Sequence, residues 1–314
     1  MSSTRSGIDF SMSSVLVTGA SGFIGRHLVP ALRAAGHDVL ERDIGDGDIA
    51  DERTWAAWPR TDIVVHLAGR LSVPESWADP SGFARVNLVG TVAALGFCQR
   101  HGAGLVFMSS YLYGNPSVLP IPETAPVVAT NPYALSKKLA ESACRFFSDH
   151  CGVDVTILRP FNVYGPGQAG DFVIPSIVRL VKEGREIRVR DLRPRRDYVY
   201  VTDVVRAIVM VVGRRQRFCV LNVGSGVSHS VVQVIAVIQG IMGTALPVCS
   251  DAENRKYEIM DTIADVGEAR RQLGWVPEWT LTEGLRRTCE HRDPPVPASR
   301  GGGRDTRGDG VDDV

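Results

Sequence analysis

Short β-branched apolar runs alternate along this chain with longer stretches in which apolar residues recur every three to four positions. The runs Val15-Leu16-Val17, Asp38 to Glu41, Ile63 to His66, Leu105 to Ser109 and Val153 to Leu158 predict strands, and the stretches near 23–35, 81–101 and 131–151 predict helices. The strands lack internal polar alternation, and each leads into a helical pattern. That combination predicts a parallel sheet covered on both faces, a doubly wound α/β fold. Pro30 falls inside the first helix, whose apolar face is Ile24, Leu28, Ala31, Leu32 and Ala35, and the hydrogen bond it removes predicts a bend.

After residue 165 the rhythm changes to helical patterns near 172–183, 203–212, 229–241 and 280–290, with short strands near 187–190 and 219–223. This predicts a smaller substrate-binding lobe interleaved with the end of the sheet. The expected organisation is a disordered leader at 1–11, a dinucleotide-binding domain at 12–165 to which 197–224 returns, a mainly substrate-binding lobe at 166–292, and a disordered, Gly/Arg/Asp-rich tail at 293–314.

Composition narrows the class. The chain has 314 residues, 44% of them apolar, which is ample for a buried core. Lys plus Arg equals Asp plus Glu at 35 each, so no global charge favours nucleic acid or an acidic membrane surface. The six cysteines, at 98, 144, 151, 219, 249 and 289, show neither zinc spacing nor a disulfide framework, and read as reduced core thiols. The N-terminal residues lack an apolar signal segment and no apolar run approaches membrane-spanning length, so a cytoplasmic location is expected.

Candidate chemistry begins with Thr18-Gly19-Ala20-Ser21-Gly22-Phe23-Ile24-Gly25, which joins a strand to a helix. The first glycine permits a tight turn, the second lets backbone N–H groups approach a pyrophosphate, and the third allows close helix–strand packing. Asp43 ends the second strand eighteen residues beyond Gly25, where a carboxylate would bind the adenosine ribose and favour NAD over NADP. Arg42 beside it leaves a 2′-phosphate open, and Asp48-Ile49 could flank the adenine.

Ser109 closes the fourth strand, while Tyr133 and Lys137 are four apart on one helix face. For a tyrosine to work as acid or base near neutrality, its pKa must fall from about 10 to about 7, roughly 4 kcal/mol of phenolate stabilisation. Lys137 is the expected source, and a serine hydroxyl can share the proton.

Thr18 to Gly25, Val65-His66-Leu67-Ala68, Val86 to Thr91, Ser109 to Gly114, Tyr133 to Lys137 and Arg159 to Gly165 resemble the extended short-chain dehydrogenase/reductases, the nucleotide-sugar epimerases, dehydratases and reductases. The resemblance spans roughly 14–290, with the motifs in family order. It implies a Rossmann-type fold and an NAD-dependent enzyme. Ser109, Tyr133 and Lys137 are then catalytic; Ser109 is chosen over Ser110 because it lies four before Tyr113 of the strand-end Tyr-Gly pair. Gly19, Gly22, Phe23, Ile24, Gly25, Asp43, Asp48, Ile49, Leu67, Ala68 and Asn87, with Tyr133 and Lys137, would hold the cofactor, and His66 would be structural.

The same resemblance implies that Asn162, Phe172, Val173, Arg196 and Arg255, together with Ser109, meet a nucleotide-diphosphate sugar, with no metal involved. Ser110 and Tyr111 stand where 4,6-dehydratases carry an acid, which disfavours dehydration. An epimerase acting at C4 through a 4-keto sugar is the leading expectation; the alternative is an NAD(P)H-dependent reductase of a nucleotide-linked 4-keto-6-deoxyhexose, ahead of a dehydratase or a non-enzymatic NAD(H) binder. Asp191-Leu192-Arg193-Pro194-Arg195 replaces the epimerases' glycine-rich turn before Arg196-Asp197-Tyr198, which leaves sugar and base open. A homodimer is expected through helices near 84–100 and 133–150, with Ala134, Leu135, Ala140 and Phe147 as candidate contacts.

Overall fold

The computed structural model describes residues 12–170, 172–214, 216–251 and 259–291. The expected leader and tail, and Arg255, lie outside the described residues. Eleven strands occur within them: β1 Ser14–Thr18, β2 Asp38–Arg42, β3 Ile63–His66, β4 Gly104–Met108, β5 Val155–Pro160, β6 Asn162–Tyr164, β7 Ile187–Val189, β8 Arg195–Tyr200, β9 Phe218–Val223, β10 Ser228–Ser230 and β11 Val248–Ser250. The main sheet is parallel throughout, in the order β2-β1-β3-β4-β5-β9. This is the doubly wound, Rossmann-type α/β fold.

Its two faces explain the unbroken apolar runs. Val15, Val17, Val65, Val106 and Met108 enter one core with α1 (Phe23–Ala34) and a later helix, Val201–Val212; Leu16, Val64, Leu105 and Phe107 enter the other with Ala93, Ala94, Phe97 and Ala140. Alternate residues serve opposite faces, so every position is apolar. Helix α1 is unbroken through the exposed Pro30.

The stretch expected as one helix at 81–101 is continuous from 80 to 101 in three parts: α2 Pro80–Ala84, a π-helical turn at Arg85–Val89, and α3 Gly90–His101. Contrary to the reading of the sequence, this 22-residue helix is long and apolar enough to cross a membrane; half of it is buried inside the molecule, with Ala94, Leu95 and Phe97 fully enclosed. The long helix α4, Pro132–Cys151, packs beside it and is capped by Asn131, whose side chain accepts the Ala134 N–H at 2.8 Å. Ala134 and Ala140 are buried and Phe147 packs into the core, so of the four expected dimer contacts only Leu135 is exposed. The outward apolar residues on this helix are Leu135, Leu139 and Phe146.

The second lobe has its own core, built by Tyr164, Ile174, Ile177, Ile187, Tyr198, Val234, Ile235 and Leu285. Two small sheets frame it, β10-β8-β6 and β11-β7. Within 197–224, β9 forms the sixth strand of the main sheet, whereas β8 pairs with β6 and β10 in the lobe.

Candidate active site

The glycine loop forms as its residue types demand. Gly19 has φ +71°, and a Cβ there would stand 2.9 Å from the Ala68 nitrogen, so only glycine lets the loop pass the end of β3 at Leu67-Ala68. Gly22 caps α1 without a side-chain hydrogen bond, and no acidic residue occupies the first turn at Phe23-Ile24-Gly25. The first-turn N–H groups therefore face the loop without a competing carboxylate, an arrangement that fits a dinucleotide pyrophosphate.

Asp43 lies against this loop and accepts the Ser21 N–H at 3.0 Å. The Arg42 guanidinium turns away, 5.6 Å from the Trp58 ring centroid, and donates to the Glu41 carbonyl at 2.7 Å. Asp48 pairs with Arg85 at 2.5 Å and accepts the Ala50 N–H at 2.9 Å; its carboxyl is held below the usual range by the Ala50 N–H first and by Arg85 second. Ile49 packs where a side chain on Gly90 would collide with it.

Asn87, in the π turn, is buried and tied to protein. Its Oδ1 accepts the Arg70 N–H at 2.9 Å, while its Nδ2 donates to the Arg70 carbonyl at 3.0 Å and to Ser136 Oγ at 2.9 Å. It thus fixes the strand-end segment against α4 rather than offering its amide outward. π turns inside helices often mark such functional positions. His66 is structural: fully enclosed, its Nδ1 is 2.8 Å from Thr18 Oγ1, and burial, then Lys137, pull its pKa down to about 3. It is neutral at ordinary pH.

Tyr133 and Lys137 project from the first turns of α4. The Lys137 ammonium is buried, donates to the Met108 carbonyl at 2.8 Å and lies 4.8 Å from the Phe107 ring centroid. Burial pulls its pKa down to about 8, against the opposing effects of Cys144 and Glu141. The Tyr133 phenol moves the other way, up to about 12, chiefly by burial, with the Ser110 side chain lowering it and Tyr111 raising it. Lys137 does not lower the phenol here as the sequence reading expected, because its ammonium is turned to the end of β4.

Ser109 also departs from expectation. Its hydroxyl is buried and donates to Glu141 Oε1 at 2.6 Å, away from the tyrosine. Ser110 is half-exposed and is the hydroxyl that acts on Tyr133. Strand β4 ends at Met108, one residue earlier than predicted, and the chain turn that follows assigns the two serines to opposite partners. Counting back from Tyr113 could not show this.

A cleft of about 960 Å³ separates the two lobes, from Gly69 and Arg70 to Arg196 and Tyr198. Asn162, Phe172, Val173 and Arg196 all line it. Asn162 is held by the Tyr111 hydroxyl at 3.1 Å and donates to the Asp197 carbonyl at 3.1 Å. Arg196 donates to the Ile259 carbonyl at 2.5 Å. Sequence reading passed over Arg70 and Glu75 on the opposite wall; Arg70 stacks 4.3 Å from the Phe83 ring centroid and pairs with Asp79 and, at 3.6 Å, with Glu75. Their only signal was position, directly after the strand end that meets the glycine loop. Before Arg196, Arg188 is paired with Glu186 and Asp251, and Arg193 with Asp191. Among the described residues no cluster of His, Cys, Asp and Glu could hold a metal.

Comparison with known proteins agrees with this geometry. Residues 15–224 match the NAD dependent epimerase/dehydratase family. The chain is 33% identical to a GDP-6-deoxy-D-mannose reductase of Pseudomonas aeruginosa over 87% of this chain and 94% of that one, and 31% identical to a UDP-glucose 4-epimerase of Azospirillum brasilense over 88% and 90%. The solved UDP-glucose 4-epimerase of Thermus thermophilus, in complex with NAD, superposes with a TM-score of 0.81 at 30% identity, covering 88% of this chain and 98% of that one. The chain belongs to the NAD-dependent epimerase/dehydratase family.

Proposed function

We propose that this protein is an NAD-dependent nucleotide-sugar epimerase that inverts C4 through a transient 4-keto sugar. The observation that carries the reading is the position of the Lys137 ammonium, 3.5 Å from where a Cβ on Gly69 would stand: Gly69 follows the Ala68 that meets the glycine loop and lines the cleft that continues to Asn162 and Arg196, while Ser110 acts on Tyr133 one turn before Lys137. Oxidised NAD, when bound, would accept the C4 hydride and return it to the opposite face, and would bring a positive ring charge. Tyr133 takes the proton of the sugar 4-hydroxyl, Ser110 shares it, and Lys137 adds positive charge to the same corner. The same phenol returns the proton after the keto sugar presents its other face. Arg196, with Asn162 beside it, would hold the diphosphate, to which guanidinium geometry is suited.

NAD is favoured over NADP because Asp43 stands at the loop while Arg42 is stacked on Trp58 and turned to Glu41. In this reading residues 12–165, with 197–224, carry the cofactor side and 166–292 mainly the sugar side. The protein acts in the cytoplasm as a homodimer joined through α3 and α4, whose exposed Leu135, Leu139 and Phe146 would be covered by the second copy.

One observation favours a second reading, an NAD(P)H-dependent reductase of a 4-keto-6-deoxyhexose nucleotide. It is the 33% identity to a GDP-6-deoxy-D-mannose reductase, in whose reaction Tyr133 would donate a proton to the reduced carbonyl oxygen. The two readings separate on the coenzyme: an epimerase returns NAD to its starting state in each cycle and gains by retaining it, whereas a reductase must exchange it. Denaturing the purified protein and identifying the released coenzyme tests this. Stoichiometric NAD supports epimerisation, and an empty site supports the reductase.

A further inference from the structure

The hydroxyl of Ser109, displaced from the role expected of it, belongs to a buried polar network that the reaction scheme leaves unexplained. Glu141 lies on α4 one turn beyond Lys137 and two beyond Tyr133, so all three share a helix face. Its Oε1 accepts from Ser109 Oγ at 2.6 Å and from Arg159 Nε at 2.9 Å, and its Oε2 accepts from Arg159 Nη2 at 2.6 Å. The pair is almost wholly enclosed, with 7% and 9% of the side chains exposed. Arg159 in turn donates to the Tyr113 hydroxyl at 3.0 Å and to the Glu123 carbonyl at 3.2 Å.

A buried bidentate ion pair contributes little net stability compared with an apolar pair of the same volume, but it fixes geometry tightly. What it fixes here is the two-residue corner after β4. With Ser109 gripped on the inner side, the next side chain must turn to the other side, toward Tyr133.

The geometry points to Glu141, clamped by Arg159, as a positioning residue that holds Ser109 so that Ser110 is aimed at Tyr133 and that sets the surroundings of the Lys137 ammonium from one turn away. This inference rests on the reading of Tyr133, Lys137 and Ser110 as the reacting set. The groups facing Lys137 are the Met108 carbonyl from β4, the neutral His66 from β3, and Cys144 and Glu141 from its own helix. Of these, Glu141 is the carboxylate.

The test compares S109A, S110A and E141Q. With the nucleotide sugar that the wild type converts, S110A is expected to lower kcat by about 10²-fold or more, and S109A by about 10-fold with KM unchanged. Wild-type kcat in S109A, or a loss as deep as that of S110A, would overturn the inference: the first makes the grip irrelevant, the second makes Ser109 the reacting hydroxyl. Independently of turnover, NMR titration of the Lys137 ammonium, near 8 in the wild type, is expected to give a lower value in E141Q; an unchanged value also contradicts the inference. Should E141Q fail to fold, S109A, which leaves the ion pair intact, decides alone. Should the wild type convert no nucleotide sugar, the functional reading fails, and the lysine titration still decides the positioning claim.

Discussion

Two adjacent serines have different partners, although spacing alone would single out one of them. Ser109 is fully committed to Glu141, and Ser110 faces Tyr133. Tyr133, Lys137 and the glycines were legible because each motif lies within a few residues and its geometry is local. The Ser109 partner lies thirty-two residues away on α4, and Arg159 a further eighteen, so no local rule could reach it. Y133F removes the phenol to which proton transfer is assigned in the proposed reaction and is expected to lower kcat by about 10²- to 10⁴-fold while NAD is still retained, as measured by coenzyme released on denaturation. Loss of the coenzyme in Y133F would instead make the phenol a binding group.

His66 makes a separate prediction about acid. Its pKa is about 3 in the folded chain and near 6.5 when unfolded, so between those values the unfolded state binds a proton that the native state refuses. The stability it contributes is fully present above pH 6.5 and is lost as pH falls through the window toward 3. The slope reaches about 1.4 kcal/mol per pH unit for one proton. Thermal melts from pH 7 to pH 4 should show a shallower loss in H66N than in the wild type; parallel curves would mean that His66 does not carry the effect.

At the scale of elements, the six strands of the main sheet and the main helices were legible because a parallel sheet covered on both faces leaves uninterrupted apolar runs. Their ends were less so. The fifth strand begins two residues later than predicted and runs on to Pro160, which brings Arg159 into the sheet beneath α4. The π turn at Arg85–Val89 has no local signature, since any helical pattern tolerates one extra residue; its consequence is the inward placement of Asn87 against Arg70 and Ser136. The glycine loop allows a test at this scale. Gly19→Ala puts a side chain on a positive-φ residue and against the Ala68 backbone, with a cost above about 1 kcal/mol. The expected outcome is a lower melting temperature and protein purified with little bound NAD, measured as coenzyme released on denaturation. An NAD content equal to that of the wild type would show that the loop does not form the cradle.

For the whole molecule, the sequence announced two lobes but not the way they share strands. β9 completes the large sheet while β8, only a helix earlier, stays in the small one, and this crossing of the chain places Asn162 and Arg196 opposite Arg70 across one cleft. The proposed dimer surface shows the limit of periodicity: Ala134, Ala140 and Phe147 have the right apolar character, yet they face the core, and the outward stripe is Leu135, Leu139 and Phe146. L139D/F146D is expected to shift the protein from dimer to monomer in sedimentation velocity without loss of helical circular dichroism; a dimer that persists would place the interface elsewhere.

The reaction itself offers the most direct measurement. Purified protein, with no coenzyme added, is incubated with UDP-glucose, UDP-galactose and a wider panel of nucleotide hexoses, and the products are separated by chromatography. At least one C4 pair is expected to interconvert to the same equilibrium mixture from either side, with no net reduction of coenzyme. Absence of interconversion across the panel, together with consumption of NADH or NADPH by a 4-keto-6-deoxyhexose nucleotide, would contradict epimerisation and establish the reductase in its place.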